Sequence, residues 1–322
     1  MQGQMSSSVL HNFAWNELKK PPDSMHSVLV TLLAFGPDRS PTLIGTGFIV
    51  GAYGNRALVF SAAHNLHEGV KKVQEPNPLH HLSALREFLP GFDEIALDQK
   101  VLRGIYVANG RVEVCVIHGV LWNTATDIAL MLLAPQDIAN ETVFRTHLQL
   151  EDYSPRIGDE VCMLGYADMT VDECVKDDRF EMFTAKSRLI LRAGRIKGVH
   201  SEGHILCRGP CVETTIPVFG GMSGGPVFRI PKTERGEIAL KPFALISHDP
   251  DESSKEKNDR SLEGSSVAAL LPITSVKKTL DGQQVQLKLS NVKSIRNEEV
   301  AKEPAAAYKL RELQVRWNPI SR

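Results

Sequence analysis

The sequence predicts an all-β protein, and three observations carry that prediction. Short apolar, strand-like runs recur along the chain, among them Leu43–Val50, Ala57–Phe60 and Arg111–Leu121. Turn signals separate them: Gly36-Pro37-Asp38-Arg39-Ser40-Pro41, Tyr53-Gly54-Asn55 and the type I′ pair Asn109-Gly110. The length of 322 residues accommodates a β domain of roughly 200–250 residues together with extensions at both ends.

In chain order, residues 9–20 space their apolar groups near the helical period and end at Pro21-Pro22, which predicts a short N-terminal helix stopped by proline. Strands are expected from His26 to Phe35, from Leu43 to Val50, and through Ala57–Phe60 to His64. A long connection, residues 65–100, follows, with a short helix expected over Leu79–Leu89. Segments of this length on a compact domain tend to be functional. Arg103–Ala108 and Arg111–Leu121 read as a hairpin, and Ile128–Ala134 as a strand apolar on both faces. After a connection at 135–150, strands are expected at Asp159–Tyr166, Phe180–Ile190, Arg192–Val199 and Ile205–Glu213, with an acidic loop over Asp168–Arg179. Towards the end, Ile273–Leu280 reads as a helix, Val285–Leu289 as a strand, and residues 297–315 have a helix-favouring composition interrupted by Pro304. The expected division is 1–24, a helical extension; 25–135, a first barrel with the insertion 65–100; 136–285, a second barrel; and 286–322, a C-terminal extension.

Composition narrows the function classes. With 42% hydrophobic and 23% charged residues, a formal net charge of -1 and a pI near 6.8, the chain has no basic surplus, so neither nucleic acid nor an anionic membrane is an expected partner. The five cysteines (Cys115, Cys162, Cys174, Cys207, Cys211) are odd in number and favour a reducing compartment. Val28–Phe35 is too short to span a bilayer. No targeting segment is evident, and a cytoplasmic location is expected.

The chemistry is concentrated around Val218-Phe219-Gly220-Gly221-Met222-Ser223-Gly224-Gly225-Pro226-Val227-Phe228. One hydroxyl sits among four glycines between apolar runs, a composition that lets backbone N–H groups converge near a projecting serine. Upstream, Ser61-Ala62-Ala63-His64 and Thr126-Asp127-Ile128-Ala129-Leu130 each adjoin a strand. A histidine to take the serine proton and a carboxylate to hold the imidazole complete the parts of a nucleophilic hydrolase.

Together with Gly45-Thr46-Gly47-Phe48-Ile49-Val50 and Gly221-Met222-Ser223-Gly224-Gly225-Pro226, these segments resemble the signature blocks of trypsin-like, chymotrypsin-fold serine peptidases. The resemblance covers about residues 26–275 and in style is nearest to bacterial HtrA-like domains, which Ile157–Tyr166 also resembles. It implies two six-stranded antiparallel β-barrels with the cleft between them. It further implies His64 as general base, Asp127 as its orienting carboxylate, Ser223 as nucleophile, and the N–H groups of Gly221 and Ser223 as oxyanion hole. Pro217 and Val218, the strand end Ser247-His248-Asp249, and Gly264 would line the substrate pocket. With Pro217 where trypsin carries its pocket aspartate, a basic side chain would lack a counter-charge and a small or apolar one is expected; the alternatives are an acidic residue facing His248 or a basic one facing Asp249 at the rim. Two departures stand out: Asn65 and Met222 occupy positions that secreted relatives give to a cysteine and an aspartate. Without that aspartate, activation by a newly cut N-terminus is not available.

No cofactor and no metal is expected. His64, His67 and Glu68, with His80-His81, fit no zinc-hydrolase string. His200, His204, Cys207 and Cys211 could be read as a His₂Cys₂ zinc set, but their intervals fit no finger pattern. The function expected is that of a serine endopeptidase acting on protein or peptide substrates, with a regulatory partner conceivable at the 65–100 segment or the C-terminal tail. The alternatives are a catalytically silent binding protein of the same fold and a hydrolase of small acyl substrates.

Overall fold

The computed structural model describes residues 16–17, 23–36, 40–53, 55–69, 89–95, 97, 101–108, 111–136, 143–176, 181–230, 238–248, 264–272, 284–285, 287–289 and 311–317. Chain entry is by a two-residue strand, β1 (Asn16–Glu17), and a 3₁₀ turn (Asp23–Val28). The first barrel is then built from β2 (Leu29–Phe35), β3 (Pro41–Tyr53), β4 (Arg56–Ala62), β5 (Asp93–Ile95), β6 (Leu102–Ala108), β7 (Arg111–Asn123) and β8 (Ile128–Pro135). Pairing runs β7-β6-β2-β3-β4-β8 and returns from β8 to β7, closing six antiparallel strands, with β5 added on β7. Closure leaves the main ladder without a free edge. It also explains why β8 carries an almost unbroken apolar run, since Ile128–Leu133 are all buried.

A connector holding β9 (His147–Leu148) leads to the second barrel. Its strands are β10 (Glu160–Lys176), β11 (Glu181–His200), β12 (Cys211–Thr214), β13 (Pro226–Arg229), β14 (Ile238–Leu240), β15 (Pro242–His248) and β16 (Ser266–Leu270). The order β11-β10-β13-β15-β16-β12 closes through β12 back on β11, again six strands, while β14 lies outside the ring. Two short segments follow, β17 (Gln284–Val285) beside β9 and β18 (Leu287–Leu289) beside β14. The last strand, β19 (Arg311–Trp317), pairs with the Glu181–Ser187 part of β11. Apolar side chains of both barrels, such as Phe48, Phe60 and Leu130 with Leu164, Phe228 and Ile246, form one continuous core.

Three expectations are corrected. Asn16–Glu17, inside the expected N-terminal helix, is extended and paired with Arg192 and Ala193 of β11. Arg311–Trp317 is a strand where helix-favouring composition pointed the other way, because the open stretch of β11 supplies ladder partners that outweigh a propensity of a few tenths of a kcal/mol per residue. Asp168–Lys176 is not a loop: β10 runs on through it with two irregularities in its pairing to β11, and the two strands expected at 180–199 are the single β11. That long hairpin folds over the first barrel, where Phe183 and Ala185 pack with Leu33, Phe35, Ile105 and Val114. The Leu79–Leu89 helix (save Leu89, at a bend) and the Ile273–Leu280 helix lie outside the described residues.

Candidate active site

The glycine-rich stretch forms the bend between strands β12 and β13. Met222 N–H donates to Phe219 O at 3.0 Å, and Gly221 within that turn has φ 94°, the geometry of a turn that demands glycine at its third position. Gly224 has φ 84°, and its N–H donates to Ile246 O at 2.7 Å. Between these two glycines Ser223 is held by its carbonyl, which accepts Thr46 N–H and Asn65 Nδ2, both at 2.9 Å. Thr46 Oγ1 meanwhile donates to Gly221 O at 2.7 Å. The Ser223 loop of the second barrel is therefore tied down by the first. Among the described residues, the N–H groups of Gly221 and Ser223 donate to no protein acceptor.

Asn65 explains one departure from the secreted relatives. It is buried, packs against Gly45, and bridges Ser61 Oγ (3.2 Å) and Ser223 O. The Asn65 amide thus ties the His64 turn to the Ser223 loop. Met222, in the place of an aspartate, is wholly buried with its Cβ against Gly165.

His64 sits in the 3₁₀ turn Ala63–Gly69 that follows β4, and Asp127 in the turn just before β8. β4 and β8 are ladder neighbours, pairing Ala62 with Ile128, so sequence-distant residues emerge side by side. Asn123 shapes the second turn: its Oδ1 accepts Ala125 N–H (3.0 Å) and Thr126 N–H (3.1 Å). Asp127 itself has φ 55°, a left-handed conformation that aspartate tolerates better than most residues. Its side chain is 6% exposed. It accepts His64 N–H at 3.0 Å and His64 Nδ1–H at 2.9 and 3.1 Å. Because a carboxylate only accepts, the His64 proton resides on Nδ1, and Nε2 is left as a base.

A third donor, absent from the expected triad roles, completes the carboxylate's shell. Ser247 Oγ donates to Asp127 Oδ2 at 2.6 Å. Burial pushes the Asp127 carboxyl upward, but the hydrogen bonds and charge of His64 and the Ser247 hydroxyl outweigh it, leaving it below its ordinary range. Since Ser247 spends its only proton on Asp127, His248 Nδ1–H donates to Ser247 Oγ, also at 2.6 Å. The Ser223 hydroxyl donates to Ser247 O at 3.3 Å.

Of the other expected site residues, Pro217 and Val218 precede the bend, Val218 buried. Pro217 O accepts the guanidinium of buried Arg192 at 2.6 Å, and that guanidinium lies 3.8 Å over the Phe219 ring. Gly264 precedes β16, and Asp249 lies outside the described residues. The four residues considered for zinc do not converge. The His200 and His204 rings lie 5.0 Å apart, tilted by 58°, while Cys207 and Cys211 are buried free thiols, Cys207 against Thr126 O and Cys211 against Cys207 O. His67 packs edge-on to Trp122, and His80-His81 lie outside the described residues.

Solved structures with similar overall shape include the MamO protease domain from Magnetospirillum magneticum (12% identity, 80% of this chain and 98% of that one, TM-score 0.41). Others are mouse neuropsin, a serine protease (16%, 82% and 99%, TM-score 0.43), and human heparin binding protein (12%, 84% and 99%, TM-score 0.42). No curated protein matches the sequence. The family model for the trypsin-like peptidase domain matches residues 45–233, more than half of the chain, and takes in the His64, Asp127 and Ser223 segments together. On that match the chain belongs to the trypsin-like peptidase domain family.

Proposed function

We propose that this chain is a serine endopeptidase that hydrolyses peptide bonds through an acyl-enzyme. The observation that carries the reading is the buried Asp127 carboxylate, which receives His64 Nδ1–H while the Ser223 loop is clamped beside it by Thr46 and Asn65. In the proposed reaction His64 Nε2 takes the Ser223 proton as the hydroxyl attacks the substrate carbonyl. The Gly221 and Ser223 amides receive the oxyanion, and His64 returns the proton to the leaving amine. Water then repeats the sequence on the acyl-enzyme. Buried Arg192 beside Pro217 and Phe219 adds positive charge near the expected pocket floor, a second reason for it to disfavour Lys or Arg before the cut. A reducing, cytoplasmic setting belongs to the same reading, supported by the odd cysteine count and the buried thiols of Cys115, Cys162, Cys207 and Cys211.

One observation favours the catalytically silent alternative: the Ser223 hydroxyl is turned to Ser247 O, and not to the His64 ring. Catalytic hydrogen bonds are often unformed before substrate arrives, so reactivity decides. A fluorophosphonate probe read by intact mass separates the two. A single adduct on the wild type, absent from Ser223→Ala and reduced on the order of 10⁴-fold or more in rate by His64→Ala, is expected. An unlabelled, folded wild type would establish the silent reading.

A further inference from the structure

Among the described residues, one set of three metal-ligand side chains has ligand atoms that converge: His64, Asp127 and His248, all within 4.8 Å of one another. None of the histidine clusters conspicuous in the sequence supplies this set. His64 Nδ1 and His248 Nδ1 stand 2.9 and 3.6 Å from Asp127 Oδ2, and the two rings are 5.0 Å apart. The cause is local. The ladder between β15 and β16 pairs Ile246 with Ala268 and His248 with Val267, leaving Ser247 as an extra residue in a bulge. A bulge re-aims side chains that strict alternation would send to opposite faces, and here both Ser247 and His248 reach the same carboxylate.

We propose that this trio is an inhibitory site for a zinc-class divalent ion, bound by the ring nitrogens of His64 and His248 that face Asp127 and by the Asp127 carboxylate. Two neutral imidazoles and one carboxylate are a donor set of open zinc sites, which keep a fourth position for water. Bond lengths of about 2.0–2.2 Å in a tetrahedral arrangement require donor atoms roughly 3.3–3.5 Å apart. The observed separations bracket that value, so each side chain moves by under about 1 Å. Both imidazoles are about one-third exposed, which gives an ion a path from solvent to the buried carboxylate.

The consequence for catalysis follows from the tautomer. An imidazole that holds a metal through Nδ1 carries its single ring proton on Nε2. Loading the site therefore moves the His64 proton from Nδ1 to Nε2, releases none, and leaves His64 unable to accept the Ser223 proton. Asp127 exchanges its His64 and Ser247 donors for the ion. This inhibition, though not the binding, rests on the peptidase reading.

The test uses the full chain, zinc alone as titrant in a non-chelating buffer, and calorimetry alongside hydrolysis of a reporter peptide. One ion should bind the wild type, with affinity at least about 10-fold weaker in His64→Ala and in His248→Gln, since even outer-shell losses cost that much. Reporter hydrolysis, if the peptidase reading holds, should stop on loading and return with EDTA. Cobalt should give the visible absorption of a tetrahedral site in the wild type and lose it in His248→Gln. Retained melting of both variants keeps the comparison interpretable, and Asp127→Asn serves as a third variant should either unfold. Affinity unchanged in folded variants, or zinc that binds the wild type without stopping hydrolysis, overturns the proposal. A chain that never hydrolyses the reporter but binds zinc through these residues refutes the peptidase reading and leaves the site standing.

Discussion

Replacing Gly224 by alanine places a methyl group where the two barrels touch. A Cβ there would lie 2.1 Å from Thr46 O, 2.3 Å from Ser61 Oγ and 2.8 Å from Ala62 N, all of the first barrel and two of them backbone atoms. It would also sit on the buried hydrogen bond from Ser61 Oγ to Thr46 O, 2.8 Å long. The φ of 84° adds about 1–2 kcal/mol for a residue with a side chain. Relieving the overlap needs a shift of about 1 Å between the barrels, which in a packed interior costs about 1–3 kcal/mol or more. Together these come to roughly 2–5 kcal/mol against a total stability of about 5–15. The matched control is Gly220→Ala, four residues away in the same loop, whose Cβ would meet nothing within 4 Å. In thermal melts the Gly224→Ala midpoint should fall by roughly 4–10 °C, with Gly220→Ala within about 2 °C of the wild type. Fluorophosphonate labelling of Gly224→Ala should fall with it, because the methyl displaces the Ser223 backbone. Equal melting of the two variants would refute the account of how the barrels meet.

Asn65→Ala removes two buried hydrogen bonds, but Ser223 O keeps Thr46 N–H and Ser61 Oγ keeps Thr46 O, so a loss of about 1–3 kcal/mol is expected in urea unfolding. Ser247→Ala removes a donor to an ionised carboxylate, worth about 1.5–3 kcal/mol; labelling at Ser223 should slow by roughly 10-fold or more, and labelling at the wild-type rate would contradict the role given to Ser247. Because the Asp127 carboxyl is held low in the fold, it contributes stability above its unfolded pKa near 3.9 that is lost as pH falls, and Ser247→Ala should reduce that acid-sensitive part. His147 is buried, its Nδ1 has no partner among the described residues, and burial lowers its pKa. The unfolded chain therefore binds the proton more readily, and stability should fall below about pH 6.5 by at most about 1.4 kcal/mol per pH unit. His147→Leu should reduce the pH dependence of the urea midpoint between pH 7.5 and 5.5, leaving the part due to His118, which burial and the Arg56 charge also lower.

The parts of this site that were legible in the sequence are those whose chemistry is written within a few consecutive residues. Gly221, Ser223, Gly224 and Gly225 declare a tight bend by composition alone, and His64 and Asp127 lie beside apolar runs that pair as β4 and β8. Most strand positions of the first barrel follow for the same reason, since alternation and turn residues are local signals, whereas in the second barrel the expected strand Ile205–Glu213 is turn as far as Pro210 and pairs only as Cys211–Thr214. Asn16–Glu17 and Arg311–Trp317 are strands against the helical expectation because helix propensity is weak where a strand edge offers partners. β11 has such an edge, and it takes β19, β1 and β12 in succession along its 20 residues.

What alternation could not give is the direction of Ser247 and His248. Read with period two, they should face opposite sides of β15, one towards a pocket and one away. The unpaired residue between Ile246 and His248 removes that opposition, and nothing in Phe243-Ala244-Leu245-Ile246-Ser247-His248 announces a bulge, since it contains no glycine or proline to mark one. The cause lies in the partner strand: Val267 and Ala268 set the register that β15 must meet, and Gly224 N–H draws Ile246 O towards the nucleophile bend. Ser247 thus becomes the third donor to Asp127 and His248 a second imidazole beside it. Both roles belong to the closure of the second barrel around the Ser223 loop, a property of three strands together, which a strand read alone does not contain.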